Sequence, residues 1–215
     1  MAVFMAICRQ FYLLNGTLMA RTHAEQSAGL SAADNYARLL ELEPDDERAW
    51  AGYARAMFGN RDYQTALDYY RRLSLRHPDS RNYQLNEAVC LTNLRQYEDA
   101  LKTLYKLNYE APDDQNVNRV LAWALVGSCK YGQAAKIYQS LLDTESPASD
   151  DLLNYAYCQW FSGDVTHAAE LLRRYARHDG VSFDAAREFF GTESDFISDH
   201  GVSDVEVRLM IDLLG

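Results

Sequence analysis

The sequence predicts an all-α protein built from repeated pairs of helices, and three observations lead to that prediction. The chain has 215 residues with only 4 prolines and 11 glycines, which favours helices over a turn-rich β protein. Alanine recurs at intervals of 34 residues in two separate series. The series are Ala54, Ala88, Ala122 and Ala156, and Ala32, Ala66, Ala100, Ala134 and Ala168. Such a period fits two helices of about 14 residues joined by turns.

Each recurring column has a mechanical interpretation. The two alanines of a repeat lie in different helices, where small side chains let the helix axes approach to about 8–9 Å. Columns of leucine and tyrosine fill the space between neighbouring repeats. Proline cannot continue a helix, so Pro44, Pro78 and Pro112 are expected to end the second helix of their repeats. The Asp and Ser residues that follow each proline are expected to cap the next helix.

The composition narrows the classes of function. The chain carries 31 acidic and 21 basic residues, a formal charge of −10, which argues against a nucleic-acid binder. Four cysteines are too few for a disulfide scaffold, and free thiols favour a reducing compartment. A cytoplasmic location is therefore expected, with a periplasmic or membrane-associated one as the alternative if the N-terminus is truncated or processed. The apolar stretch 2–8 lacks a preceding positive region and is interpreted as helix packing surface rather than a secretory signal.

The segment from Trp50 to Pro78 resembles a tetratricopeptide (TPR) repeat. It has Trp50 at repeat position 4, alanines at positions 8 and 20, Tyr70 at position 24 and Pro78 at position 32. The resemblance implies a right-handed α-α superhelix, the TPR solenoid, with a helical C-terminal cap. It also implies that Trp50 serves packing, since position 4 is structural in the family.

The repeat register predicts the organisation of the chain. An N-terminal helix or partial repeat is expected at 1–12, the array at 13–180 and an acidic helical cap at 181–215. The cap region holds 8 acids and 2 bases, and Ser203 to Glu206 forms a capping-box motif ahead of its last helix. The repeats are set at 13–46, 47–80, 81–114, 115–148 and 149–180.

The sequence shows no constellation typical of catalysis. It contains no phosphate-binding glycine loop, no HExxH and no GxSxG motif, and its five histidines are scattered. Cys90 and Cys158 share one repeat position and are interpreted as small core residues. The paired acids near repeat junctions are explained by helix capping. We therefore expect neither an enzyme, nor a cofactor, nor a metal site.

The resemblance places a binding face on the concave side of the first helices. Repeat positions 2, 5, 9 and 12 share one helix face, and in this chain they are rich in Arg, Asn, Trp and Tyr, which are typical of binding hot spots. A protein-interaction scaffold that binds a peptide or helix with acidic and apolar residues is the leading hypothesis. The predicted partner-binding residues are Arg48, Arg55, Asn82, Asn116, Arg119, Trp123, Tyr157 and Trp160.

Alternatives remain at this point. Trp123, Tyr157 and Trp160 could instead pack between repeats and meet no ligand. Asn86 matches one position of the carboxylate clamp that binds chaperone C-termini in a TPR subclass, but the rest of that clamp is not reproduced. A secretion-type chaperone that holds an unstable client is a second functional hypothesis, and an enzyme with its active site in the groove is a third.

Overall fold

The computed structural model describes residues 31–144, 148–179, 190 and 194–214, and all regular structure in these ranges is α-helical. The predicted all-α class is confirmed. The expected helix at 1–12 and residues 181–189 and 191–193 of the expected cap lie outside the described residues. The helices are α1 (Ala32–Leu42), α2 (Glu47–Gly59), α3 (Tyr63–Arg76), α4 (Arg81–Asn93), α5 (Tyr97–Glu110), α6 (Gln115–Gly127), α7 (Tyr131–Leu142), α8 (Ser149–Phe161), α9 (Val165–Asp179), α10 (Ser194–Asp199) and α11 (Asp204–Leu214).

Four first helices, α2, α4, α6 and α8, begin 34 residues apart, and polar caps set most of their starts. Asp46 and Asp114 each accept two backbone N–H groups of the following turn, at 2.8 and 3.3 Å and at 3.0 and 3.3 Å. Ser80 caps α4 in the same way at 3.5 Å. The start of α8 differs from the prediction, because Asp151 lies inside the helix and accepts the N–H of the cap residue Ala148 at 3.3 Å. Its carboxylate still satisfies a terminal donor.

Both alanine series lie where helices meet. All eight alanines of these series between Ala54 and Ala168 are 0% exposed, as the period predicted. The series departs from this pattern at its first member, because Ala32 is half-buried in the first turn of α1 and its neighbour Ala33 is the buried residue. Cys90 and Cys158 are also fully buried, which confirms their interpretation as core residues.

A left-handed residue ends each first helix at the same repeat position. Arg61, Arg95, Cys129 and Gly163 have φ of 66°, 60°, 58° and 93°. In the first of these turns the N–H of Arg61 donates to the carbonyl of Phe58 at 3.0 Å, and the N–H of Asp62 donates to the carbonyl of Met57 at 2.9 Å. The same pair of hydrogen bonds recurs in the other three turns and defines a Schellman motif. Three of the four turns thus hold a side chain in a conformation that favours glycine.

The chain divides into two compact units, whose described residues run from 31 to 120 and from 121 to 214. In the first unit α1 packs on α2, α2 on α3, α3 on α4 and α4 on α5. In the second unit α8 packs on both α7 and α9, and α11 packs on α9. Among the described helices none has the length and apolar character needed to cross a membrane.

Trp50 anchors the junction between α2 and α3, in agreement with its predicted packing role. Its side chain is 5% exposed, and its indole Nε1 donates to the carbonyl of Pro44 at 2.8 Å. The guanidinium of Arg76 lies 4.3 Å from the centre of the indole ring. Arg76 also pairs with Asp45 and Glu47 at 3.0 and 3.1 Å. The stacking of Arg76 on the indole and its ion pairs with Asp45 and Glu47 therefore hold the start of α2 against the end of α3.

Candidate partner-binding surface

The polar residues predicted to bind a partner lie in the first unit and remain accessible there. Arg48 and Asn82 are exposed, whereas Arg55, Asn116 and Arg119 are half-buried. We call these five residues the polar set. They lie on the first helices α2, α4 and α6, at repeat positions 2, 5 and 9.

Two side chains of the polar set, those of Arg119 and Asn82, contact side chains of their own helices. The guanidinium of Arg119 donates to the side-chain oxygen of Gln115 at 3.2 Å, one turn earlier. Asn82 accepts from the amide of Asn86 at 3.4 Å. Both partners lie on the same helix as the residue that they contact, so these side chains are oriented without being drawn into the core.

Asn86 adds a buried polar group beside this set that the predicted site did not include. The residue is only 7% exposed, and its Oδ1 has no hydrogen-bond partner among the described residues. A buried amide oxygen without a partner costs roughly 1–3 kcal/mol. The oxygen has less than 1 Å² of accessible surface, so in this structure it is a cost to the fold and not an open contact for a ligand. Asn86 matches one position of the carboxylate clamp described above, and this match was the signal in the sequence that could have added the residue to the predicted site.

The three aromatic residues predicted to bind a partner lie in the second unit and are buried. Trp123, Tyr157 and Trp160 are 8%, 1% and 3% exposed. They lie with Phe161 on one face of α6 and α8, which we call the aromatic face. The structure therefore brings these residues together but covers them. The covering rings belong to the C-terminal region, whereas the packing alternative placed the contact between repeats.

The residues that cover the aromatic face come from the C-terminal region. The ring of Phe196 stacks on Trp123 with centroids 5.0 Å apart and contacts Phe161 edge to face at 5.5 Å. Phe190 packs edge to face on Trp160 at 5.6 Å. Such aromatic pairs contribute roughly 0.5–1.5 kcal/mol each beyond the burial of their area.

His200 completes this contact at the end of α10. Its imidazole stacks on Phe161 with centroids 4.4 Å apart and planes inclined by 13°. Its Nδ1 lies 2.8 Å from the carbonyl oxygen of Phe196, and its Nε2 lies 3.3 Å from that of Val126 on α6. The neutral ring donates to one of these oxygens and the protonated ring donates to both. Gly201 follows with φ of 83°, in the turn that comes directly after α10.

Burial favours the neutral forms of one thiol and two tyrosine hydroxyls in the second unit. Desolvation raises the pKa of the Cys158 thiol to about 12, and this thiol donates to the carbonyl of Tyr131 at 3.2 Å. Desolvation likewise raises the pKa values of the Tyr138 and Tyr157 hydroxyls well above their ordinary range. Within the described residues no three His, Cys, Asp or Glu side chains come together as metal ligands. These groups offer apolar contact and hydrogen bonds rather than an activated nucleophile.

The helical pairs, the alanine contacts and the recurring turns define an all-α helical-repeat protein. Sequence comparison assigns the family: the tetratricopeptide repeat family matches residues 24–85, 57–124 and 119–188. The chain therefore belongs to the tetratricopeptide repeat family. No curated protein sequence matches the chain.

Solved structures share the fold. A thermophilic TPR protein from Thermus thermophilus is 15% identical, with a TM-score of 0.63 over 85% of this chain and 97% of that one. MamA from Desulfovibrio magneticus RS-1 is 16% identical, with a TM-score of 0.60 over 80% and 94%. YrrB, described as a TPR protein with an unusual peptide-binding site, is 14% identical, with a TM-score of 0.55 over 85% and 92%. These likenesses confirm the TPR solenoid class.

Proposed function

We propose that the protein is a non-catalytic scaffold that binds a peptide or helical segment of a partner protein at the polar set of its first unit. The observation that carries this proposal is the accessibility of the polar set, of which two residues are exposed and three are half-buried on α2, α4 and α6. TPR proteins are scaffolds for protein–protein interaction, and the peptide-binding site named for YrrB supports the same use here.

The charges of the polar set indicate the chemistry of the ligand. Arg48, Arg55 and Arg119 supply three guanidinium groups in a chain of formal charge −10. Guanidinium groups pair with carboxylates through two parallel hydrogen bonds, so acidic side chains or a carboxylate are the expected contacts. Asn82 and Asn116 supply amides that pair with peptide backbone. The proposed partner segment is therefore acidic and contributes its backbone to the contact.

A charge-reversal experiment tests this surface. Wild type, Arg55→Glu/Arg119→Glu and the control Lys136→Glu/Arg174→Glu are used for affinity capture from a lysate of the source organism. The control has the same net charge as the test variant, and its exposed residues lie on the second helices α7 and α9. The purified partner is then titrated against all three proteins. We expect at least a tenfold weaker Kd for the test variant alone, since truncating or reversing a paired interfacial charge costs several kcal/mol.

The substitution Asn86→Leu separates a binding role from a structural one. Leucine has the same branched skeleton but is larger, and it removes both the oxygen that lacks a partner and the amide that donates to Asn82, so the free energy of unfolding should change little. Partner affinity should fall through Asn82, whose side chain loses the amide that orients it. If Asn86→Leu lowers Tm and leaves affinity intact, Asn86 serves the fold. If Arg55→Glu/Arg119→Glu binds the partner as tightly as wild type and the control do, the polar set is not the binding surface.

The capture also distinguishes the scaffold from the chaperone hypothesis. A folded partner that binds through one short segment supports the scaffold. A client that aggregates when the protein is removed supports the secretion-type chaperone instead.

A further inference from the structure

The aromatic face is occupied by the chain's own C-terminal region. Residues Phe190, Phe196 and His200 contact Trp160, Trp123 and Phe161 respectively, and all of these residues belong to the second unit. The repeat register assigns two of the covered residues, Trp123 and Trp160, to the predicted ligand-facing side of α6 and α8, and Phe161 is the residue after Trp160. A side that the repeats leave open for a ligand is thus filled from within the same chain.

The covering helix α10 has the pattern of a helical ligand. Phe196 lies on α10 and His200 lies four residues later in the turn that follows it, where both rings contact the aromatic face, and Ile197 beside them is 1% exposed. Asp195, Ser198 and Asp199 are exposed on the other side. A helix that inserts apolar anchors at this spacing into a groove is a recurring mode of peptide recognition.

The six residues of α10 depend on the aromatic face for their helical conformation. Isolated helices shorter than about 12 residues are marginal in water, because nucleation costs more than a few hydrogen bonds return. The contact of His200 with the carbonyl of Val126 and the stacking of Phe196 on Trp123 supply what the short helix lacks. Residues of α6 and α8 therefore select the conformation of the segment that they bind.

We infer that the aromatic face is a binding site for a short amphipathic helix with aromatic side chains at i and i+4, and that the chain's own α10 is its resident occupant. An external segment of this kind has to displace α10 before it binds. This site goes beyond the proposed function, because none of its residues belongs to the polar set and it lies wholly in the second unit. The scaffold thus has a second recognition surface that is closed in the resting protein.

Displacement makes the affinity of this site depend on α10. A tethered occupant acts at an effective concentration on the order of millimolar, so it competes strongly with a ligand of micromolar affinity. The apparent Kd of an external ligand equals its intrinsic Kd divided by the fraction of molecules in which the face is open. Weakening α10 should therefore tighten the binding of an external segment.

The test uses the full chain and a fluorescein-labelled peptide with the sequence of residues 190–202. The open variant is Phe196→Ala/His200→Ala, and Phe196→Leu is a milder second variant that keeps an apolar side chain. The matched control is Ser198→Ala, an exposed position on the same helix. Fluorescence anisotropy measures the Kd of the peptide, and circular dichroism verifies that each variant is folded.

We expect the open variant to bind the peptide at least tenfold more tightly than wild type or Ser198→Ala, with Phe196→Leu intermediate. Adding Trp123→Leu to the open variant should weaken the peptide again, because Trp123 stacks on Phe196. Equal affinity in all variants, or no binding by any folded variant, would overturn the inference. Light scattering that shows wild type as a dimer dissociated by Phe196→Ala/His200→Ala would assign the face to a second copy and would also overturn it. Partner binding at the polar set is measured separately, so either surface can fail alone.

Discussion

Replacing Gly163 by alanine isolates the cost of the left-handed turn that ends α8. Gly163 has φ of 93°, and a Cβ built on it meets no atom within 4 Å, so the substitution changes backbone energy and no packing. A non-glycine residue in this region costs roughly 1–2 kcal/mol, while the stiffer unfolded chain of the alanine variant returns roughly 0.5–1 kcal/mol. We therefore expect a net loss of about 1 kcal/mol of unfolding free energy. For a chain of this size that lowers Tm by about 2–4 °C.

Gly132 provides a control of opposite sign. It lies in the first turn of α7, and its Cβ position is equally open, without a positive φ. Alanine is a better helix former by up to about 1 kcal/mol in a helix interior and by less in the first turn, so Gly132→Ala should raise Tm slightly. Urea and thermal unfolding followed by circular dichroism measure both variants. If Gly163→Ala is as stable as wild type, or if both variants shift in the same direction, the left-handed turn is not the source of the effect.

Three further predictions concern single buried or paired groups. Ala100→Glu places an unpaired charge at a position that is 0% exposed and should cost several kcal/mol, and an unchanged Tm would place Ala100 outside the helix contact. Cys158 should resist alkylation at pH 8 until the chain unfolds, because burial raises the pKa of its thiol to about 12. The exposed Cys129 should react in the folded protein, and peptide mapping of the alkylated chain distinguishes the two cysteines. Hydrogen bonds, the larger effect from His77 and the smaller from Arg76, lower the pKa of Glu47 below its ordinary value of 4.5. These contacts therefore stabilise the folded protein above pH 4.5, and the stabilisation is lost as the pH falls through the lowered pKa of Glu47 in the folded state. An NMR titration of the His77→Ala variant should show the pKa of Glu47 rising towards 4.5, and an unchanged value would contradict the assignment.

Periodicity predicted the packing of the repeats because the tight helix contacts tolerate only small side chains. Ala88 and Ala122 are fully buried, although nothing in their local sequence distinguishes them from surface alanines. The left-handed turns escaped prediction for the opposite reason. The four turns share a left-handed residue, but this residue is glycine only at Gly163 and is Arg61, Arg95 or Cys129 in the other turns. The residue types therefore gave no sign of the shared backbone conformation.

The repeat register predicted which polar residues are accessible but not that the aromatic residues are covered. Arg48 and Asn82, at repeat position 2, are exposed. Trp123 and Tyr157, at position 9, are buried, because Phe196 lies against them with ring centroids 5.0 and 6.0 Å away. Phe196 lies outside the repeat, and no periodic signal connects it with α6 or α8. A tertiary contact of this kind has no signature in a single sequence.

The central claim is that the first-helix side of residues 31–120 meets the partner, and site-specific photo-crosslinking tests it most directly. A benzophenone amino acid replaces Asn82, which is exposed on α4, or Lys136, which is exposed on α7 and serves as the control. Each protein is irradiated in lysate, and the crosslinked peptides are identified by mass spectrometry. We predict one dominant partner crosslinked from position 82, through an acidic segment, and no such product from position 136. Crosslinking of the same partner from position 136 and not from position 82 would contradict the account.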